Sequence, residues 1–238
     1  MVITEYKGET MNHQEIDKML AKFGYRRLTG TVNKSKWLVK HQLPNKGFGM
    51  RMAFGPDGKL TALVCLHEAL EVAVNPDIGK AVFVCTALSD EHNQYIDRFA
   101  NQHGISRAAL NKNFSVITVT DPLSKVRAIT KMKKHVDKIG SVDLLVVANY
   151  NDIVKTVNNT NVSKSLRNLG SLDCTVSIVH REMKSQVGKF AGAQRNEDVP
   201  SFIVRVTRDE SDQNSAVLTC TKSRDTDGNH RIVQQLIS

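Results

Sequence analysis

Cysteine, proline and aromatic residues are scarce in this chain. Its 238 residues hold 4 Cys, 5 Pro and 1 Trp, and aromatics make up 5%. Cys65, Cys85, Cys174 and Cys220 each lie inside an apolar stretch and none belongs to a C-x-x-C pair, so they read as small core residues rather than as a disulfide framework or a zinc site. The 8 histidines show no H-E-x-x-H or comparable ligand spacing. No apolar run approaches a membrane span, and the N-terminus has no basic-then-apolar signal segment, so a cytoplasmic protein without membrane attachment is expected. Internal repeats and low-complexity tracts are absent too. With so few aromatics, any nucleic-acid partner would be held more by phosphate contacts than by base stacking.

What is present is ordinary in bulk and unusual in charge. A hydrophobic share of 40% with 24% charged residues fits a globular protein, and the length allows one large domain or a domain with a short appendage. Lysine and arginine number 33 against 24 acids, a net charge of +9 and a pI near 9.4. That balance favours a polyanionic partner, nucleic acid ahead of membrane because no strongly amphipathic terminal helix is present. A basic but inert surface is the plainer alternative.

The stretch Leu43 to Val74, LPNKGFGMRMAFGPDGKLTALVCLHEALEVAV, organises the rest. It reads as strand, glycine loop, helix: an apolar run to Phe54, breakers at Gly55, Pro56 and Gly58, then helical spacing from Leu60 through Leu63, Val64, Leu66 and Leu70. A phosphate-binding P-loop belongs in such a place, since backbone N–H groups and a helix N-terminus would point at an anion. The G-x-x-x-x-G-K-[ST] pattern is nevertheless missing. Started at Gly55, it meets Leu60, Thr61 and Ala62 where Gly, Lys and Ser/Thr are required. Started at Ala53, it recovers Gly58 and Lys59 but loses the first Gly and puts Leu60 in place of the hydroxyl. Both registers lack the magnesium-binding hydroxyl.

Trp37-Leu-Val-Lys-His-Gln-Leu-Pro44, the strand, the glycine loop, the helix and Gly79-Lys-Ala-Val-Phe-Val-Cys85 together resemble the opening of RecA-like ATPases of the plasmid and phage replicative-helicase (RepA-like) type. The likeness is one of pattern and runs along roughly the last five-sixths of the chain. It implies a RecA-like α/β/α sandwich with a mostly parallel central sheet and antiparallel C-terminal hairpins. It also places a remnant nucleotide site at Gly55, Gly58, Lys59 and Thr61. In active relatives the strand after the first helix ends at a catalytic Glu; here Ala87, or a neighbour among Thr86 to Ser89, stands there, and Asp90 and Glu91 read as helix-terminal acids. The apolar run Val142 to Ala148 takes the place of the Walker B strand, where the relatives end on a magnesium-holding Asp and this chain has Asn149.

Further along, Phe114 to Val119 reads as a strand, and Asp121-Pro122 as the opening of a helix carrying Lys125, Arg127, Lys131, Lys133, Lys134 and Lys138, a candidate phosphate-contacting face. Asp173 to His180 is the next strand. His180-Arg-Glu-Met-Lys184 resembles the family's His-His-x-x-Lys, which leads into DNA-facing loops, here Ser185 to Asp198 with Lys184, Lys189 and Arg195. Phe202 to Val206, Ala216 to Cys220 and Arg231-Ile-Val form an expected antiparallel meander. Thr221-Lys-Ser-Arg-Asp225 resembles the family's Lys-x-Arg-Asp turn, making Lys222 and Arg224 candidate subunit contacts.

The expected organisation is a helical extension over residues 1–40, with a helix from Asn12 to Phe23, and a core over 41–238. The expected function is a non-hydrolysing DNA-binding accessory protein of phage or plasmid replication or recombination. It would be a homo-oligomer and prefer single-stranded DNA through Lys184, Lys189, Arg195, Lys131 and Lys134. No metal or cofactor is expected, with residual ATP binding left open. Two alternatives stand beside it: an active ATPase that uses Lys59 with Asp57 or Asp90 recruiting metal, and a partner or inhibitor of a replicative helicase.

Overall fold

The computed structural model describes residues 37–39, 43–44, 50–75, 77–150, 153, 159–183, 186–190, 199–223 and 231–237. All of them belong to the unit Ser35–Ser238. The expected helix Asn12 to Phe23 therefore lies outside the described residues.

Among the described residues eleven strands and five helices follow in chain order: β1 (Trp37–Val39), β2 (Leu43–Pro44), β3 (Arg51–Gly55), α1 (Gly58–Val74), β4 (Lys80–Cys85), α2 (Asp90–Gln102), α3 (Arg107–Leu110), β5 (Phe114–Thr118), α4 (Val126–Ile139), β6 (Val142–Val147), α5 (Asn159–Gly170), β7 (Thr175–Met183), β8 (Gln186–Phe190), β9 (Phe202–Arg208), β10 (Ser215–Ser223) and β11 (Arg231–Gln235). The main sheet has the order β11-β10-β9-β3-β7-β6-β4-β5, with β8 paired to β7 off that path. From β9 to β5 every neighbouring pair is parallel; β10 and β11 add antiparallel strands at one edge, and β8 runs antiparallel to β7.

The apolar runs explain this arrangement. In β4, Ala81, Phe83 and Cys85 enter one core while Val82 and Val84 enter the other; β6 divides Leu144 and Val146 from Leu145 and Val147 in the same way. A strand apolar on both sides must be covered on both faces, which parallel strands with crossover helices achieve. α1, α2 and α3 supply Leu66, Phe99 and Leu110 to the first core. α4 and α5 supply Met132, Leu166 and Leu169 to the second. The result is the α/β/α sandwich with antiparallel C-terminal strands that the sequence implies.

Two local expectations fail. Asp121-Pro122 does not open α4, which starts at Val126 with Lys125 as an N-cap residue lacking any side-chain cap bond. The stretch from Ser185, read as a loop, contains β8, whose register with β7 pairs Glu182 with Phe190 and Met183 with Gln186. Gln-Val-Gly-Lys-Phe is too short and too polar to announce a strand, and the neighbouring β7 supplies the hydrogen-bonding partner.

The first core also encloses an ion pair. Arg51 on β3 and Glu68 on α1 are both fully buried, and the Arg51 guanidinium donates to the Glu68 carboxylate. Burial opposes the Arg51 charge, yet Glu68 beside it prevails and the guanidinium pKa is raised. At Glu68 burial dominates and pushes the carboxyl up, with Arg51 pulling the other way. Among the described residues Arg51 Nε and Nη2 have no hydrogen-bond partner, while the Cys65 thiol lies against both Glu68 and Ser177.

Candidate functional site

β3 is the strand from which the parallel sheet extends both ways, toward β7 on one side and β9 on the other. In open α/β sheets ligands sit outside the carboxyl ends of strands at such a point. Here that position is the turn from Gly55 to Gly58, with only Pro56 and Asp57 between the strand and the helix.

Asp57 fills the place an anion would take. Its Oδ1 accepts the Lys59 N–H at 3.0 Å and the Leu60 N–H at 3.1 Å, which makes it the N-cap of α1. Its Oδ2 lies 3.2 Å from the Arg208 guanidinium on β9. Partial burial works against the carboxylate, but the Leu60 N–H, Arg208 and the Lys59 N–H outweigh it and hold the Asp57 pKa below its ordinary value. The first-turn donors and the helix dipole that would attract a phosphate are thus engaged by the chain's own carboxylate.

The remaining remnant residues have other occupations. Gly55 is required by the sheet: a Cβ there would come within 2.1 Å of the Val206 carbonyl oxygen on β9. Gly58 has no such constraint, since a Cβ would meet nothing within 4 Å. Thr61 is buried and its hydroxyl donates to the Asp57 carbonyl at 2.9 Å. Lys59 is exposed on the first turn of α1. Two of the first-turn N–H groups that a P-loop would turn toward phosphate are thus already bonded to the Asp57 carboxylate.

On the opposite face of β3, Arg205 on β9 pairs with Glu182 on β7 at 2.9 Å, Glu182 being almost buried. Arg205 and His180 both stand level with Phe54 of β3, and His180 is buried with its ring 6.1 Å from that of Tyr150. The cations Arg205 and Arg208, near the end of β3, are therefore each matched by an internal carboxylate.

Asn149 lies just past β6, two strands from β3 and so roughly 10 Å away. Its φ of 52° is the only positive value at a non-glycine residue among those described. Its carbonyl accepts the Ile153 N–H at 3.1 Å. Asparagine tolerates this left-handed turn better than most residues, so the amide has a conformational reason to be there. Where a catalytic Glu would stand, Ser89 caps α2 by accepting the His92 N–H at 3.2 Å, and Asp90 and Glu91 are exposed first-turn acids. The cap is Ser89 rather than either acid.

The residues expected to contact DNA or a neighbouring subunit are spread over separate elements. Lys131 and Lys134 are exposed on α4, Lys189 lies on β8, and Lys222 is half-buried on β10. Lys184, Arg195 and Arg224 fall outside the described residues. Between β5 and α4 lies a pocket of about 210 Å³ lined in part by Thr118, Asp121, Lys131 and His135, which the sequence did not signal. Among the described residues no group of His, Cys, Asp and Glu could hold a metal, and no helix is long and apolar enough to cross a membrane. All four cysteines are buried, and none forms a disulfide.

The sheet order and the two helical layers define a RecA-like α/β/α fold. The crystal structure of the RadB recombinase matches it with a TM-score of 0.57 and 18% identity, covering 79% of this chain and 86% of that one. At that identity the likeness is one of fold. No family model matches the sequence, and no curated protein matches it.

Proposed function

We propose that this chain is a RecA-like protein that binds DNA without hydrolysing nucleotide, acting as a homo-oligomeric accessory factor in phage or plasmid replication or recombination, with single-stranded DNA as the preferred form. One observation carries the non-hydrolytic part. The α1 N-terminus, where a P-loop protein would grip phosphate, is capped by Asp57, which is also tied to Arg208. Triphosphate would have to displace a like charge that already holds two N–H groups and a guanidinium. With the motif hydroxyl missing in both registers and the lysine in one of them, little is left to repay that displacement.

The net charge of +9 supports the DNA part, and so does a fold shared with a protein named a recombinase. Fluorescence anisotropy with labelled oligonucleotides at low salt tests it. Affinity that falls steeply with added salt and varies little with sequence is expected. No affinity for any DNA, together with capture of a replicative helicase, would favour the interaction-partner reading. Magnesium-dependent ATP turnover abolished by Lys59→Ala would favour the ATPase reading.

A further inference from the structure

The two helical layers differ in charge. α2 mixes Asp90, Glu91 and Asp97 with Arg98, and Arg107 of α3 pairs with Asp97 at 2.7 Å. On the opposite layer α4 carries Arg127, Lys131, Lys133, Lys134 and Lys138 with Asp137 as its only acid, and Lys125 stands at its N-cap. Arg127, Lys131, Lys134 and Lys138 follow the spacing i, i+4, i+7, i+11. They therefore fall within about 60° of arc and form a stripe roughly 16 Å long. The stripe points away from the buried side, Ala128, Ile129, Met132 and Val136. α5 packs beside α4 and adds exposed Lys164 and Arg167.

A merely solvated face does not need this pattern, and the helix would be better off without it. Like charges three and four residues apart destabilise a helix. Lys125 and Arg127 stand at the positive end of the dipole, and Lys125 provides no side-chain cap. The nearest relief is Asp121, which lies 3.0 Å from Lys131 and 4.0 Å from Arg127. Local rules broken together on one exposed face mark a surface kept for binding.

We infer that the α4 stripe, flanked by Lys164 and Arg167 of α5, is the nucleic-acid surface of this protein and grips the phosphate backbone. This rests on the DNA-binding reading above and locates it on the outer face of the sandwich, away from the end of β3. A length near 16 Å spans about five nucleotides of one strand at 3.4 Å each. Neither α4 nor α5 carries Phe, Tyr or Trp, and His135 is the one aromatic ring on α4, so phosphate contacts outweigh base stacking and sequence is read weakly. A membrane surface fits less well, because the apolar side of α4 is committed to the core and only Val126 among its large apolar residues is well exposed.

The test is anisotropy with a labelled 30-nucleotide strand and the matching duplex over a salt series, of about 50 to 300 mM. It uses the full chain, the triple variant Lys131→Gln/Lys134→Gln/Lys138→Gln, and the control Arg98→Gln/Lys112→Gln on the opposite layer. The stripe variant is expected to bind both DNAs at least tenfold more weakly at about 100 mM salt and to lose about 2 to 3 from the slope of log K against log salt. The control should stay within about twofold. Relieved of its repulsions, the stripe variant should melt no lower than wild type. Unchanged affinity and slope in the stripe variant, with wild type binding normally, would put the DNA elsewhere and overturn the proposal. If wild type binds neither DNA at the lowest salt, the DNA-binding reading itself fails. Stripe-dependent binding to phosphatidylserine vesicles without DNA binding would also overturn it.

Discussion

Replacing Glu68 with Leu should be among the most destabilising single changes in the described core. The variant would leave the Arg51 guanidinium fully buried beside an alkyl chain, with Nε and Nη2 already lacking partners. Removing one member of a buried pair typically costs about 3–5 kcal/mol, because the surviving charge is neither solvated nor matched. Against a total stability of about 5–15 kcal/mol this is a large fraction. In a domain of this size it corresponds to a melting temperature lower by roughly 10 °C. Removing both charges has the opposite logic. In Arg51→Met/Glu68→Leu the desolvation cost disappears with the attraction, and the double variant should return to within about 1 kcal/mol of wild type or exceed it. Urea denaturation followed by far-UV circular dichroism on the four members of the cycle measures the coupling. Additive losses below about 1 kcal/mol for each single change would show that water or rearrangement satisfies the pair, and would refute the reasoning.

Three other outcomes follow from the same geometry. Asp57→Ala removes the α1 cap and should cost about 1–2 kcal/mol, with Asp57→Asn retaining more of it; the Arg208 contact is exposed and adds little. Because the Asp57 pKa is lowered in the fold, its contribution is present above about pH 4 and fades as pH falls further, so an acid titration of wild type and Asp57→Asn should converge at low pH. Gly55→Ala forces a methyl against the Val206 carbonyl and should yield a protein destabilised by about 2 kcal/mol or more in thermal melts.

His67 gives the third. Its Nδ1 lies 2.7 Å from the Tyr95 hydroxyl, which accepts the Ile237 N–H at 3.3 Å, and its Nε2 faces Glu71 at 3.5 Å. Burial and then nearby His103 lower its pKa to about 4. The unfolded chain takes up a proton near pH 6.5 that the folded chain refuses until about 4, so stability should fall on acidifying through that window and be flat above it. The loss is on the order of 3 kcal/mol and should shrink in His67→Gln, as pH-dependent urea melts would reveal.

How much of this was legible in the sequence depends on the range of each interaction. β4 and β6 announce themselves because both faces are buried, and the breakers Gly55, Pro56 and Gly58 mark the turn into α1. Asp57 stands just before a helical run, a local cap signal, but its tie to Arg208 spans 151 positions and no pattern foretells it. Nothing in the local pattern singles out Arg51 and Glu68; their burial appears only when β3, β7 and α1 are packed together. Asn149 read as a lost metal ligand, and its positive φ supplies a reason that residue type alone does not give. The start of α4 was misplaced because Asp121-Pro122 is a strong local signal that the turn before the helix uses instead.

We hold that Asp57, as the α1 cap, closes the turn after β3 to triphosphate. Isothermal titration with Mg–ATP, run beside an assay for released phosphate, tests it most directly. No saturable heat and no phosphate are expected from wild type. Stoichiometric Mg–ATP binding with phosphate release that disappears in Lys59→Ala would contradict it.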